Sequence, residues 1–136
     1  MIRKLEPGDE TTLQEVARRY KSRVPSGEEA AHVLALDDFH VWIAEVDGAL
    51  AGFAYAHELP RVDGATSVLL YELEVDERFR RRGLGRALVE AAKQLANGRT
   101  LWVLTDDDNV AAKQTYAAAG GTPSPELLFR WRSRRR

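Results

Sequence analysis

The stretch Val75-Asp76-Glu77-Arg78-Phe79-Arg80-Arg81-Arg82-Gly83-Leu84-Gly85-Arg86-Ala87-Leu88 leads from the end of an apolar, strand-like run into a helical one. The turn between them holds two glycines, and backbone N–H groups left free at a helix N-terminus attract anions. Gly83 and Gly85 let the backbone come close to a phosphate where a Cβ would obstruct it. Arg80, Arg81, Arg82 and Arg86 put positive charge at a helix end whose dipole disfavours cations, a conflict that a phosphate ligand would remove. A dinucleotide fingerprint would need a third glycine at Leu88, and a Walker A loop would need Gly-Lys-Ser/Thr, so neither fits. Taken alone, the stretch reads equally as a Gly-containing strand-to-helix turn with a solvated arginine run.

Working outward, Thr66 to Val75 is a long strand, and Leu84, Leu88, Ala91, Ala92 and Leu95 make the apolar face of the helix that follows, stopped by Asn97-Gly98. Residues 40 to 57 are rich in Val, Trp, Ile, Phe and Tyr around Asp47-Gly48, a pair suited to a two-residue type I′ hairpin. Upstream, Ile2 to Leu5 is a short strand ended by Pro7-Gly8-Asp9. Leu13, Val16, Ala17 and Tyr20 then recur at helical spacing, from a start at Asp9 or Thr11. Ser26 caps a second helix with Glu29 three residues on, carried by Ala30, Val33 and Leu34 towards Asp37. Downstream, Thr100 to Leu104 reads as a buried strand, Asn109 to Ala119 as a helix closed by Gly120-Gly121, and Leu127 to Trp131 as a last strand. The order is β-α-α-β-β-β-α-β-α-β, and residues 1–136 are expected to form a single domain. Trp42, Trp102 and Trp131 read as strand core.

The chain has 136 residues, 44% of them apolar, with 20 Lys and Arg against 21 Asp and Glu and no cysteine. Its length suits one core that buries roughly two thirds of the unfolded surface. Without cysteine there is no disulfide scaffold, no thiolate zinc site and no thiol to carry a substrate group. His32, His40 and His57 lack metal spacing, so no metal is expected. A net charge of −1 argues against nucleic-acid binding by a basic surface, although Arg130, Arg132, Arg134, Arg135 and Arg136 could form a local patch. No apolar run approaches the roughly 20 residues of a spanning helix, which leads to the expectation of a cytoplasmic protein without a membrane partner.

A second element joins the glycine turn. Asn109, Ala112 and Tyr116 fall on one stripe of the final helix. Asn109 can cap that helix or bond a ligand amide, Ala112 lets a chain lie close, and Tyr116 presents a phenol beside it. Each residue alone is as well explained by capping or core packing. With their order and spacing, these elements resemble the GNAT superfamily of acetyl-CoA-dependent N-acetyltransferases. The resemblance rests on Arg80-Arg81-Arg82-Gly83-Leu84-Gly85, on Asn109-x-x-Ala112-x-x-x-Tyr116, and on the element order over nearly the whole chain. It implies a mixed α/β (α+β) fold, with a mostly antiparallel central sheet flanked by about four helices. It implies acetyl-CoA as co-substrate, with pyrophosphate on the loop amides and Arg86 beside them. Pantetheine would run between strands ending near Val75 and Leu104, past Leu73 and Val75. Within the superfamily, the segments "VWIAEVDGALAGFAYAHELPR", "LLYELEVDERFRRRGLGRALVEAAK" and "TDDDNVAAKQTYAAAGG" resemble aminoglycoside 3-N-acetyltransferases. Glu72 stands where that strand carries Asp. Such a resemblance implies antibiotic resistance as the biological role.

An alkylamine is mostly ammonium at neutral pH, so acetyl transfer needs a base. With no cysteine, direct attack in a ternary complex is the economical route. Glu72 and Glu74 share one face of their strand by alternation, with Tyr71, Leu73 and Val75 on the other. Glu72 is the favoured base and Glu74 the second choice; both also read as a plain polar face, and His57 is a further candidate. Tyr116 suits protonation of the leaving thiolate and resembles the family's general acid. A backbone amide near Val75 would steady the oxyanion. Asp37, Asp38, Glu58, Asp63, Glu72 and Asp106-Asp107-Asp108 lie at element ends and loops where a cationic amine would arrive, away from the arginines. The aspartates before the last helix also simply suit its N-terminus. The expected acceptor is a cationic small-molecule amine, with a protein N-terminus or lysine as alternative. A non-catalytic acetyl-CoA-binding module is the reading from another class. An exposed last strand would offer an edge for a homodimer.

Overall fold

The computed structural model describes residues 1–133. The elements run β1 (Ile2–Lys4), α1 (Glu10–Tyr20), α2 (Gly27–Leu34), β2 (Phe39–Val46), β3 (Ala49–Pro60), β4 (Thr66–Val75), a 3-10 turn (Glu77–Phe79), α3 (Leu84–Ala96), β5 (Leu101–Val103) and α4 (Val110–Ala118). The strands form one sheet in the order β1-β2-β3-β4-β5, antiparallel through β4 and parallel between β4 and β5. The mixed, mostly antiparallel sheet with four helices is the architecture expected from the sequence. No helix among the described residues is long and apolar enough to cross a membrane.

Local chemistry accounts for most of these elements. Asp47 (φ 51) and Gly48 (φ 79) both adopt the left-handed conformation that a tight hairpin turn needs. Ser26 and Glu29 form the reciprocal capping box at the start of α2. That helix ends at Leu34, short of Asp37, where Ala35 serves as its C-cap. One sheet face is lined by Ala44, Ala54, Ala56, Val68 and Leu70, against which α3 packs Leu88, Val89, Ala92 and Ala96. The other face carries Val41, Ile43 and Phe53 under Leu5, Val16 and Leu34. Small residues on the first face let α3 approach closely.

Two irregularities shape the middle of the sheet. Tyr55 pairs with Glu72 and Ala56 with Leu70, so Tyr71 is an extra residue, a β-bulge in β4. Further, β4 pairs with β3 from Thr66 to Val75, but with β5 only over Val68, Leu69 and Leu70. Beyond Leu70 the β4 edge that faces β5 is left unpaired, and the sheet opens there.

At both later strands the expectations from the sequence require correction. Leu127 to Trp131 forms no strand: an apolar run has strand propensity, but the ladder needs a partner, and none reaches it. Trp131 is therefore 87% exposed rather than core, and the strand edge expected to serve a homodimer is not formed. Trp102 is 39% exposed because β5 lies at the sheet edge, and the buried strand expected over Thr100 to Leu104 is the half-exposed Leu101–Val103. Trp42, at 6%, is core as expected. Of the C-terminal arginines, Arg130 and Arg132 are exposed, whereas Arg134, Arg135 and Arg136 lie outside the described residues.

Candidate active site

The three later helix N-termini differ in how their free N–H groups are satisfied. The first turn of α2 is closed by Ser26 and Glu29, and that of α4 by Asn109, whose side chain accepts from the Ala112 N–H at 3.0 Å. The N-cap of α3 is Gly83 (φ 77), which has no side chain to offer. Its first N–H groups point at the solvent-facing turn that carries Arg80, Arg81, Arg82 and Arg86, all exposed. Arg81 also holds a positive φ of 65, a conformation that costs a non-glycine residue about 1 kcal/mol. Arg80 Nε donates to the Val75 carbonyl at 3.3 Å, while Arg78 and Arg82 lie over the Phe79 ring. The turn is thus an uncapped, left-handed helix entry with a collar of guanidinium groups, suited to an anion.

The two glycines serve different ends. Gly83 has open space where a Cβ would stand, so its positive φ is what requires glycine. A Cβ on Gly85 would lie 3.2 Å from Thr115 Cγ2 and 3.7 Å from Val75 Cγ2. Gly85 therefore lets α3 close on α4 and β4, a packing role that adds to the phosphate approach expected from the sequence.

Beyond the bulge, Leu73 and Val75 pack into the α3 side of the sheet, whereas Glu72 and Glu74 lie on the α1 side, opposite Tyr55 and Phe53 in register. Tyr71 does not join Leu73 and Val75, as plain alternation predicted. The bulge turns it to the α1 side, where it stacks on Tyr55 (5.3 Å between centroids) and meets His57 edge-on at 5.6 Å. Phe39 closes the wall against Tyr55 and His57. Within this wall Glu72 lies beside Tyr55 and accepts a bidentate contact from Lys21 Nζ, 3.0 Å from each carboxylate oxygen. Burial, then the nearby Glu72 charge, pushes the Tyr55 phenol well above its usual range. Tyr116 sits on the opposite side of the sheet. It is half-buried among the α3-side core and lines a cavity of about 250 Å³ with Leu70, Val89, Val103 and Gly121. Burial raises its hydroxyl above the usual phenol value of 10.0, so it stays protonated. Ala112 shares its inward stripe, and Asn109 acts as the cap.

The acidic residues expected around the acceptor have separate partners. Glu58 lies on the α3 side, bound by His40 at 2.8 Å and Arg99 at 2.8 Å. Asp63 pairs with Arg61 within its loop. Asp107 is held by Lys113 at 3.1 Å, while the Asp106 and Asp108 carbonyls accept from Asn109 and Val110. Asp106, Asp107 and Asp108 are exposed at the α4 entry, and no described contact joins them to Glu72. Among the described residues no group of three or more His, Cys, Asp or Glu is placed to hold a metal. Sequence reasoning passed over Lys21 and the aromatic wall. The wall did leave a trace in Phe53-Ala54-Tyr55-Ala56-His57, where large and small residues alternate; Lys21 left none.

A mixed sheet that opens beside an uncapped, arginine-rich helix entry defines an α/β class of domain with an anion-suited site, and the comparison with known families gives that class a name. The acetyltransferase (GNAT) family matches residues 10–120, and the chain belongs to it. A mycothiol acetyltransferase of Thermomonospora curvata is 31% identical over 121 residues, covering 88% of this chain and 38% of that protein. The chain thus spans well under half the length of that relative. Among solved structures, an aminoglycoside acetyltransferase from an uncultured soil metagenomic sample, in complex with trehalose, superposes with a TM-score of 0.86 at 19% identity. The superposition covers 99% of this chain and 96% of that one. The aminoglycoside acetyltransferase AAC(6')-Iy, in complex with a bisubstrate analogue of CoA and acetylneamine, gives 0.80 at 22% identity, covering 98% and 97%. These likenesses show the fold.

Proposed function

We propose that this protein is an acetyl-CoA-dependent N-acetyltransferase that acts on a primary amine of a cationic small molecule of the aminoglycoside type. The carrying observation is the opening of the sheet beyond Leu70, flanked by Glu72 on the α1 side and Tyr116 on the α3 side. The α3 entry fits the pyrophosphate of CoA, since it joins uncapped amides at Gly83 and Leu84 to arginine charge. Gly85, Asn109 and Ala112 keep the neighbouring backbone close, and Leu73 and Val75 offer their unpaired edge to the pantetheine. Bound there, acetyl-CoA supplies an activated acetyl thioester. Glu72 then takes the proton from the acceptor ammonium, with Glu74 next to it on the same face. Tyr116, kept protonated by burial, delivers a proton to the departing sulfur. A β4 backbone N–H freed near the bulge and Val75 steadies the oxyanion. With no cysteine in the chain, direct attack in a ternary complex needs no covalent carrier.

The names of the solved neighbours support an aminoglycoside acceptor, and the aromatic wall with Glu72 suits a polar, cationic ring system. Asp106, Asp107 and Asp108 would extend the negative surface towards a second ammonium. The sequence resemblance points to the 3-amino group, so that nitrogen is the first to examine in the product. The test is CoA release from acetyl-CoA with a panel of aminoglycosides, polyamines and peptides, with mass spectrometry of the acceptor. Acetylation of a polycationic small molecule is expected, together with about 100-fold weaker acetyl-CoA binding by Gly83→Glu, which places a carboxylate and a strained φ at the anion site. Acetylation of peptides alone would overturn the acceptor assignment, and unchanged acetyl-CoA binding by Gly83→Glu would overturn the cofactor site.

A further inference from the structure

Lys21 is where α1 stops. Its φ of −126 and ψ of 168 take the chain out of the helix while its N–H still closes on the Ala17 carbonyl. From there its Nζ reaches both oxygens of Glu72, a residue 51 positions away, at 3.0 Å each. Both side chains are partly exposed, 47% for Lys21 and 25% for Glu72. A pair at that exposure adds little to stability, because water screens it and two flexible side chains lose freedom. The arrangement nonetheless reproduces what the proposed function asks of the substrate: a primary ammonium seated on the Glu72 carboxylate beside the Tyr55 hydroxyl and the aromatic wall.

We propose that Lys21 is an internal competitor for the acceptor subsite and that it sets the specificity for polycations. In the resting protein its ammonium occupies Glu72 as a substrate amine would, and an acceptor binds by displacing it. A tethered ammonium acts at a high effective concentration, so a monoamine offers Glu72 nothing that Lys21 does not already provide. A polyamine engages further acidic groups in the same step, among them exposed Glu74 on the same face, and so displaces Lys21. Weak pairing is required for this role, since a strongly held Lys21 would shut the site. The inference rests on the reading of Glu72 as the acceptor carboxylate.

The test is calorimetric titration of wild type, Lys21→Met, Lys21→Arg and Glu72→Gln with butylamine and with spermidine, CoA being present throughout. Lys21→Met is expected to bind butylamine about fivefold more tightly and to gain less for spermidine, which narrows the preference for the polycation. Lys21→Arg keeps the charge and is expected to keep the wild-type preference, which a loss of local structure would not explain. If Lys21→Met gains nothing for butylamine relative to spermidine, or no binding is measurable in any variant, the competitor role is overturned. The reading beneath it fails separately: Glu72→Gln binding spermidine as tightly as wild type would remove Glu72 from the acceptor subsite, whatever Lys21→Met does.

Discussion

The two faces of β3 and β4 are built from the same two strands and have opposite characters. Towards α3 the strands show Ala54, Ala56, Val68 and Leu70; towards α1 they show Phe53, Tyr55, His57, Tyr71 and Glu72. Small side chains on one face admit a helix at close range, whereas the rings on the other stand up as a wall that carries ionisable groups. The contrast teaches that a sheet can hold two partners apart and let them meet at one place, where β5 stops and β4 continues. On the proposed function, the proton enters on the Glu72 side and is delivered to sulfur on the Tyr116 side.

Tyr116→Phe is the sharpest way to break that contrast. Loss of the only hydroxyl proposed to act on the α3 side is expected to lower kcat about 100-fold with acetyl-CoA affinity unchanged. Because burial raises this phenol above 10.0, any alkaline loss of rate assigned to it lies above pH 10. A variant with undiminished kcat would leave the α3 side with binding alone. A structural effect comes next. A Cβ at Gly52 would lie 2.6 Å from the Glu74 carbonyl oxygen, so Gly52→Ala is expected to cost about 2 kcal/mol in urea unfolding. An unchanged midpoint would mean that close approach of β3 to β4 is not needed where β4 leaves β5.

The smallest effect concerns Glu58, which ties His40 and Arg99 together on the α3 side. Hydrogen bonds from His40, then Arg99, hold its carboxyl below the usual 4.5. A lowered folded value stabilises the protein above about pH 4.5, and that contribution is lost as pH falls through the folded value. Glu58→Gln is expected to cost about 1 kcal/mol at pH 7 and progressively less towards about pH 3.5. Urea unfolding at both values checks this, and a pH-independent difference would show that the ion pairs contribute nothing.

Much of the fold was legible because its signals are local. Asp47-Gly48 must turn tightly, Ser26 and Glu29 are spaced to cap each other, and Asn109 caps α4 through its own third neighbour. The alternation within Thr66 to Val75 was legible on each side of Tyr71, but the bulge there shifts its phase, so that Val68 and Leu70 before it and Leu73 and Val75 after it meet the same α3 side. A bulge depends on the partner strand, so the sequence of β4 alone carries no mark of it. Leu127 to Trp131 failed for the same reason in the other direction, having the composition of a strand and no ladder to join. The packing of Gly85 was not legible, because its neighbour Thr115 lies thirty residues on in a different helix.

By itself, the sequence determined the order of elements as far as α4, the helix caps, the arginine-and-glycine entry to α3 and the absence of a thiol, because each depends on residues within a few positions of one another. Only the tertiary structure decided that Glu72 and Tyr116 stand on opposite faces, that the sheet opens beyond Leu70 between them, and that Lys21 rests on Glu72. Those relations are set by strand pairing and by contacts between distant segments, whose geometry depends on packing that no local pattern records.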